Sequence, residues 1–149
     1  MDEDEIFMKL ALIEAERAYK KGEAPVGCVI AQNGRVIAKA HNLRESRKNA
    51  LYHAEILAIG KASKKLKGWR LPGCTLYVTL EPCPMCAGAI INARIPMVVF
   101  GASDPKAGCF GSIHDFSKSG FNHSPAVISG VLAEDCSALL KNFFREMRM

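Results

Sequence analysis

The chain has 149 residues, 49% hydrophobic and 23% charged, with a formal net charge of +5. That composition is ordinarily globular, excludes a disordered or repetitive chain, and fits one domain over residues 1–149 with a sizeable core. No apolar run reaches the roughly 20 residues of a membrane span, and the acidic start is the reverse of a secretory or transit leader, so a cytoplasmic protein with no membrane partner is expected.

Residues Glu5 to Lys21 have helical periodicity, with Ile6, Leu10 and Ile13 on one stripe and Phe7, Ala11, Ala15 and Ala18 beside it. The acidic residues Asp2 to Glu5 sit at the positive end of that helix and Lys20-Lys21 at its negative end, which is dipole compensation rather than a binding tail. Ala24 to Ala31 reads as a buried strand, Asn33-Gly34 as a hairpin turn, and Val36 to His41 as the returning strand. Asn42 then either faces a site or caps its own turn, and the basic segment Arg44 to Lys48 is either a solvated loop or a surface for phosphates. Helical periodicity returns from Tyr52 to Leu66, with His53 and Glu55 in its first turn and Gly68 as a stop.

Thr75 to Leu80 is the next strand; Pro82 breaks it, and Pro84 suits the first turn of a helix running through Asn92. Pro96 to Gly101 reads as a buried strand, parallel to the previous one because a helix joins them. Ser103 to His123 is a long glycine-rich loop of the kind that often carries function. Val127 to Val131 is a short last strand and Ala133 to Met147 the final helix. The order α-β-β-α-β-α-β-β-α predicts an α/β domain with helices on the faces of a mixed sheet.

Two stretches stand out chemically. His53-Ala54-Glu55 places a carboxylate two residues after an imidazole, and Pro82-Cys83-Pro84-Met85-Cys86 holds two thiols close enough for one metal ion. His53, Cys83 and Cys86 suit tetrahedral zinc and leave a fourth position open for water, whose protons Glu55 is placed to handle. A lone C-x-x-C is equally the mark of a redox pair, and a βαβ setting suits that too. The upstream H-x-E has no use in redox chemistry, however, and a structural zinc site needs a fourth ligand. Cys74 and Cys109 are isolated, and His41, His114 and His123 are scattered singly, which reads as surface or loop placement. Cys28, Cys74, Cys109 and Cys136 are expected to be reduced, buried thiols.

The paired motifs resemble the signature of the zinc nucleoside and nucleobase deaminases. More closely, the chain resembles the bacterial tRNA adenosine deaminases over nearly its whole length. That resemblance rests on Glu23 to Gly27, His41-Asn42, the two motifs with Thr75 to Ala89, Phe100-Gly101-Ala102 with Asp104 and Lys106, Gly111-Ser112, Asn122-His123, and Leu139-Leu140 with Phe143-Phe144-Arg145. It implies a three-layer α/β/α cytidine-deaminase-like fold with a central mixed sheet of about five strands.

It also implies one zinc ion per subunit and hydrolytic deamination of adenosine to inosine at the first anticodon position of a tRNA, an arginine tRNA first among them. The enzyme would be a homodimer that binds an anticodon stem-loop across both subunits. By the same resemblance Glu55 is catalytic, Asn42 contacts the flipped nucleoside, Val26 walls the pocket, and the Ala54 backbone orients the base edge. Asp104, Lys106, Asn122, Phe144 and Arg145 would meet the flanking nucleotides; the bland readings are surface charge, loop hydrogen bonding and, for Phe144, core packing. The rival activities are deamination of a free base or nucleoside, such as guanine or cytosine, and a non-catalytic zinc protein that binds RNA. One departure stands out. The family usually has Asp or Asn, then Pro-Thr-Ala, before the histidine; this chain has Asn49-Ala50-Leu51-Tyr52, losing a fixed φ and a capping hydroxyl beside the metal ligand.

Overall fold

The structure, a computed structural model, describes residues 2–148. Four long helices flank a five-stranded sheet of order β2-β1-β3-β4-β5. The strands are β1 (Gly27–Gln32), β2 (Arg35–His41), β3 (Cys74–Leu80), β4 (Met97–Ala102) and β5 (Ala126–Ile128). β1 runs antiparallel to β2 and β3, whereas β3, β4 and β5 are parallel, so the sheet is mixed. The parallel β3–β4 pair follows from the helical crossover between them.

The helices are α1 (Glu3–Lys20), α2 (Ala54–Leu66), α3 (Pro84–Asn92) and α4 (Ala133–Met147). α1 and α4 cover one face of the sheet, over Val29, Ala31, Tyr77 and Val99. α2 and α3 cover the other, over Cys28, Ile30, Leu76, Val78 and Val98. The alternation of side chains along each strand thus fills two cores, one on each face. None of the described helices is long and apolar enough to cross a membrane.

α1 presents Phe7, Met8, Ala11, Ala15 and Ala18 to the sheet, while Ile6, Leu10 and Ile13 stand exposed on its flank. The small residues win because α1 lies directly on β1: a Cβ at Gly27 would come within 1.9 Å of the Ala11 carbonyl oxygen. Asp2 caps α1 by accepting from the Glu5 N–H at 2.9 Å, and Asp4 accepts from the Tyr77 hydroxyl at 3.0 Å. The acidic run is therefore spent on the helix start and its docking. Asn33 and Gly34 carry positive φ of 52° and 75°, the turn that a two-residue hairpin requires.

Three of the boundaries that differ from the sequence reading have a clear physical cause. β1 begins at Gly27, not Ala24, because Pro25 has no N–H to donate; Val26 N–H turns back to the Ala24 carbonyl instead. α2 begins at Ala54, leaving His53 extended (φ −74°, ψ 155°) as its N-cap. β5 is only three residues, since Gly130 (φ 82°) and Leu132 (φ 53°) turn the chain into α4.

Candidate metal centre and substrate cavity

The two conspicuous motifs lie at the starts of neighbouring helices. His53 is the N-cap of α2 and Cys83 the N-cap of α3, with Pro84 opening the helix and Cys86 in its first turn. N-caps are normally Ser, Thr, Asp or Asn, whose oxygen binds a free helix N–H. Neither of these two makes a side-chain cap hydrogen bond. Their side chains instead turn toward each other: His53 Nδ1 lies 3.7 Å from Cys83 Sγ and 3.6 Å from Cys86 Sγ.

Bonds of about 2.3 Å to sulfur and about 2.0–2.1 Å to nitrogen, at a tetrahedral angle, separate N and S by roughly 3.5 Å. The two observed N···S spacings therefore fit a zinc-sized ion, and one nitrogen with two sulfurs is a donor set that zinc accepts. Among the described residues, these three form the group of His, Cys, Asp or Glu that could hold a metal ion.

The electrostatics agree. A hydrogen bond from Cys86, aided by the His53 ring, pulls Cys83 down to about 4, so it is a thiolate. That same hydrogen bond and burial push the Cys86 thiol up. One proton is thus shared between two sulfurs, and metal binding to such a pair releases it. His53 is raised by its hydrogen bond with Cys83. Glu55, only 4% exposed in the first turn of α2, stands beside this group. Burial lifts its carboxyl to about 7, with the Cys83 charge adding to the rise. A carboxyl that titrates near neutrality can both take and return a proton.

A cavity of about 230 Å³ opens over the corner. Val26, Asn42, His53, Ala54, Glu55, Cys83, Asp104 and Phe144 line it, while Cys86 is buried beneath. Of the sequence-derived site residues, Lys106, Asn122 and Arg145 are not in the lining; all three are exposed. Lys106 sits at the rim, its backbone N–H donating to Asp104 Oδ1 at 3.0 Å, and Arg145 lines a separate surface cleft between α1 and α4. Phe144 is 48% exposed and faces the cavity, whereas Phe143 takes the core position.

Asn42 fulfils both of its readings. Its Oδ1 accepts from the Arg44 N–H at 3.1 Å and its side chain lines the cavity. His41 is a correction: it ends β2 and bridges to α1, with Nδ1 2.9 Å from buried Glu14 and Nε2 3.0 Å from Lys21 Nζ. Cys28, Cys74, Cys109 and Cys136 are free and buried. The unusual Asn49-Ala50-Leu51-Tyr52 segment keeps its order without Pro or Thr. Asn49 Oδ1 accepts from the Leu51 N–H at 2.9 Å, and the Leu43 N–H donates to the Tyr52 carbonyl at 3.0 Å.

Sequence reasoning gave no physical role to two buried carboxylates, Glu23 and Glu81. Glu23 accepts from the backbone N–H groups of Glu45 and Ser46 and from the Ser46 hydroxyl, which pins the loop after β2. Glu81 accepts from the N–H groups of Asp104, Phe110 and Ser112 and from the Ser112 hydroxyl, which pins the loop after β4. Burial alone would raise both carboxyls; the serine and backbone donors outweigh it and hold both below the usual range. Gly108 is required there, because a Cβ would fall 2.2 Å from Glu81 Cδ. The glycine-rich loop is accordingly tightly folded, with a bridge between Phe110 and Asp115 and a 3-10 turn at Phe116–Lys118. Only the position of each glutamate, at the junction of an element and a loop, hinted at these roles.

Known proteins match this arrangement over nearly the whole chain. The family model of the MafB19-like deaminases matches residues 1–148. A tRNA-specific adenosine deaminase of Bacillus subtilis (strain 168) is 54% identical over 149 residues, spanning 99% of this chain and 92% of that protein. A solved structure from work on A-to-I editing by tRNA:A34 deaminases at the wobble position superposes with a TM-score of 0.87 at 44% identity, covering 91% of this chain and 99% of that one. A guanine deaminase from Bacillus subtilis is more distant in shape, with a TM-score of 0.64 at 40% identity over 66% of this chain and 64% of that one. The chain belongs to the MafB19-like deaminase family and, within the deaminases, to the tRNA-specific adenosine deaminases.

Proposed function

We propose that this protein is a zinc-dependent hydrolase that converts adenosine to inosine at the wobble position of tRNA, with an arginine tRNA as the first substrate to test. It acts as a cytoplasmic homodimer on the anticodon stem-loop. The observation that carries this reading is the His53–Cys83–Cys86 triangle with Glu55 buried at its side, under a cavity that admits a base. Relatives that act on tRNA support the choice of substrate.

His53, Cys83 and Cys86 hold the metal. When bound, zinc supplies a water acidified toward neutral pH as the nucleophile. Glu55 would take one proton from the attacking water as its oxygen adds to C6 of the adenine, and pass it to ring N1. It would then take the second proton from the hydroxyl now on C6 and deliver it to the amino group, so that the C6–N6 bond breaks and ammonia leaves inosine behind. The Ala54 backbone orients the base edge, Asn42 holds the nucleoside, and Val26 closes the apolar wall. Asp104, Lys106, Asn122, Phe144 and Arg145 meet the nucleotides that flank the target.

The competing reading, deamination of a free base, draws on the likeness to the guanine deaminase. Incubating the zinc-loaded protein separately with an arginine-tRNA anticodon hairpin, adenosine, cytidine and guanine separates the two. Ammonia from the hairpin alone is the expected result; ammonia from guanine alone would overturn the assignment.

A further inference from the structure

We infer that Arg44 binds the backbone phosphate next to the nucleotide that enters the cavity, making the site one for a residue within an RNA chain rather than for a free base. The inference rests on the tRNA reading above and adds a residue and a ligand group to it.

Among the described residues, Arg44 is the one lysine or arginine that lines the cavity. Its side chain is 52% exposed, and its nearest carboxylate, Glu45 at 3.8 Å, is itself 72% exposed, a pairing too long and too solvated to occupy it. Three carboxylates nearby already accept hydrogen bonds from their own loops. Asp104 Oδ1 accepts from the Lys106 and Ala107 N–H groups, Glu81 takes four donors from its loop, and Glu23 takes three. Among the described residues the guanidinium's one ion pair within 4 Å is the solvated one with Glu45, although its charge also helps lower the Glu23 carboxyl.

Its backbone, by contrast, is held on both sides. The Arg44 N–H donates to Asn42 Oδ1 at 3.1 Å, its carbonyl accepts from the Asn49 N–H at 3.1 Å, and buried Glu23 grips the next two residues. A fully buried carboxylate is committed to positioning the residues that follow Arg44. Through Asn42 Oδ1, the cation is tied to the same side chain that reaches into the cavity. A free base offers such a guanidinium no anionic group; a phosphodiester offers a negative charge and two oxygens at the spacing of its fork.

The test is a cycle between the side chain and the phosphate. Wild type, Arg44→Gln and Arg44→Lys are assayed on the anticodon hairpin and on two hairpins carrying a neutral methylphosphonate, one 5′ and one 3′ of the target adenosine. For one of those two linkages, wild-type KM should rise roughly tenfold or more, as expected for a lost charge-assisted hydrogen bond. Arg44→Gln should show that rise already on the unmodified hairpin, with kcat largely kept, and lose nothing further on the neutral linkage. Arg44→Lys should recover part of it. Matching thermal melts for the three proteins exclude a folding defect, since the side chain is largely solvent-facing.

Unchanged KM in Arg44→Gln, or penalties that add in full for both linkages, would overturn the inference while wild-type turnover of the hairpin left the tRNA reading standing. A wild type inactive on every hairpin would overturn both. Adenosine 5′-monophosphate is the free-nucleotide arm: turnover of it equal to that of the hairpin would overturn the assignment to a chain phosphate.

Discussion

The His53–Cys83–Cys86 corner and the rim above it share one cavity and are built in opposite ways. The corner takes its donors from two helix starts, His53 on α2 and Cys83 with Cys86 on α3, with Glu55 buried beside them. Helix starts packed on one shared core hold such side chains within the narrow tolerance that metal and proton chemistry demand. The rim draws on Asn42 after β2, Asp104 after β4 and Phe144 on α4, with Phe144 largely exposed. Its two loop segments are held in shape by the internal carboxylates Glu23 and Glu81. On the proposed function, chemistry depends on packing and recognition depends on tethers.

The sharpest way to break that contrast is at the corner. Glu55→Gln should retain stoichiometric zinc and the wild-type melt while turnover falls by roughly 10²–10⁴-fold, the range for a positioned proton-transfer group. Ammonia release together with metal analysis checks both halves, and normal turnover would remove Glu55 from its role. Cys83→Ala should lose metal and activity together; a fully zinc-loaded Cys83→Ala protein would contradict the ligand set.

At the tethers the effects should be smaller and structural. Gly108→Ala forces a methyl into the Glu81 carboxylate and should destabilise the protein by about 1–3 kcal/mol, read as a lower melting temperature and a raised KM. Gly60→Ala, a helical site with no neighbour within 4 Å, is the control and should be neutral or stabilising by up to about 1 kcal/mol. Equal losses from the two would show that the loop is not tethered as described.

On the rim itself, Phe144→Ala should raise KM for the hairpin several-fold and shift stability by no more than about 0.5 kcal/mol, because the ring is exposed. A large fall in melting temperature would return Phe144 to the core.

The gentlest probe is acid. Glu23 and Glu81 are held below the ordinary carboxyl value of 4.5, so the folded state binds their protons less readily than the unfolded state does. Their contribution to stability is fully present above that value and is lost as pH falls through the lower folded values. Glu81→Gln should therefore flatten the acid limb of a stability–pH curve measured by urea unfolding, and an unchanged limb would count against the tether.

Residue type and spacing were enough to pick out the chemistry. An H-x-E and a C-x-x-C name a metal, an open position and a base wherever they fold together, and period-2 and period-3.6 patterns placed every strand and long helix near its observed position. Those are local properties, written within a few residues of one another. What only the tertiary structure decided is which side chains converge from far apart. It put Phe143 inward and Phe144 at the mouth, although both sit on one apolar stretch. It turned Ala24 and Val26 from strand into cavity wall, because Pro25 cannot pair. It exposed Ile6, Leu10 and Ile13 and buried small alanines, because Gly27 lets α1 lie on β1. It gave Glu23 and Glu81 their loops to hold and left Arg44 lining the cavity with the solvated Glu45 as its ion-pair partner. Close approach and hydrogen-bond satisfaction are relations between distant residues, and no window along the chain contains them.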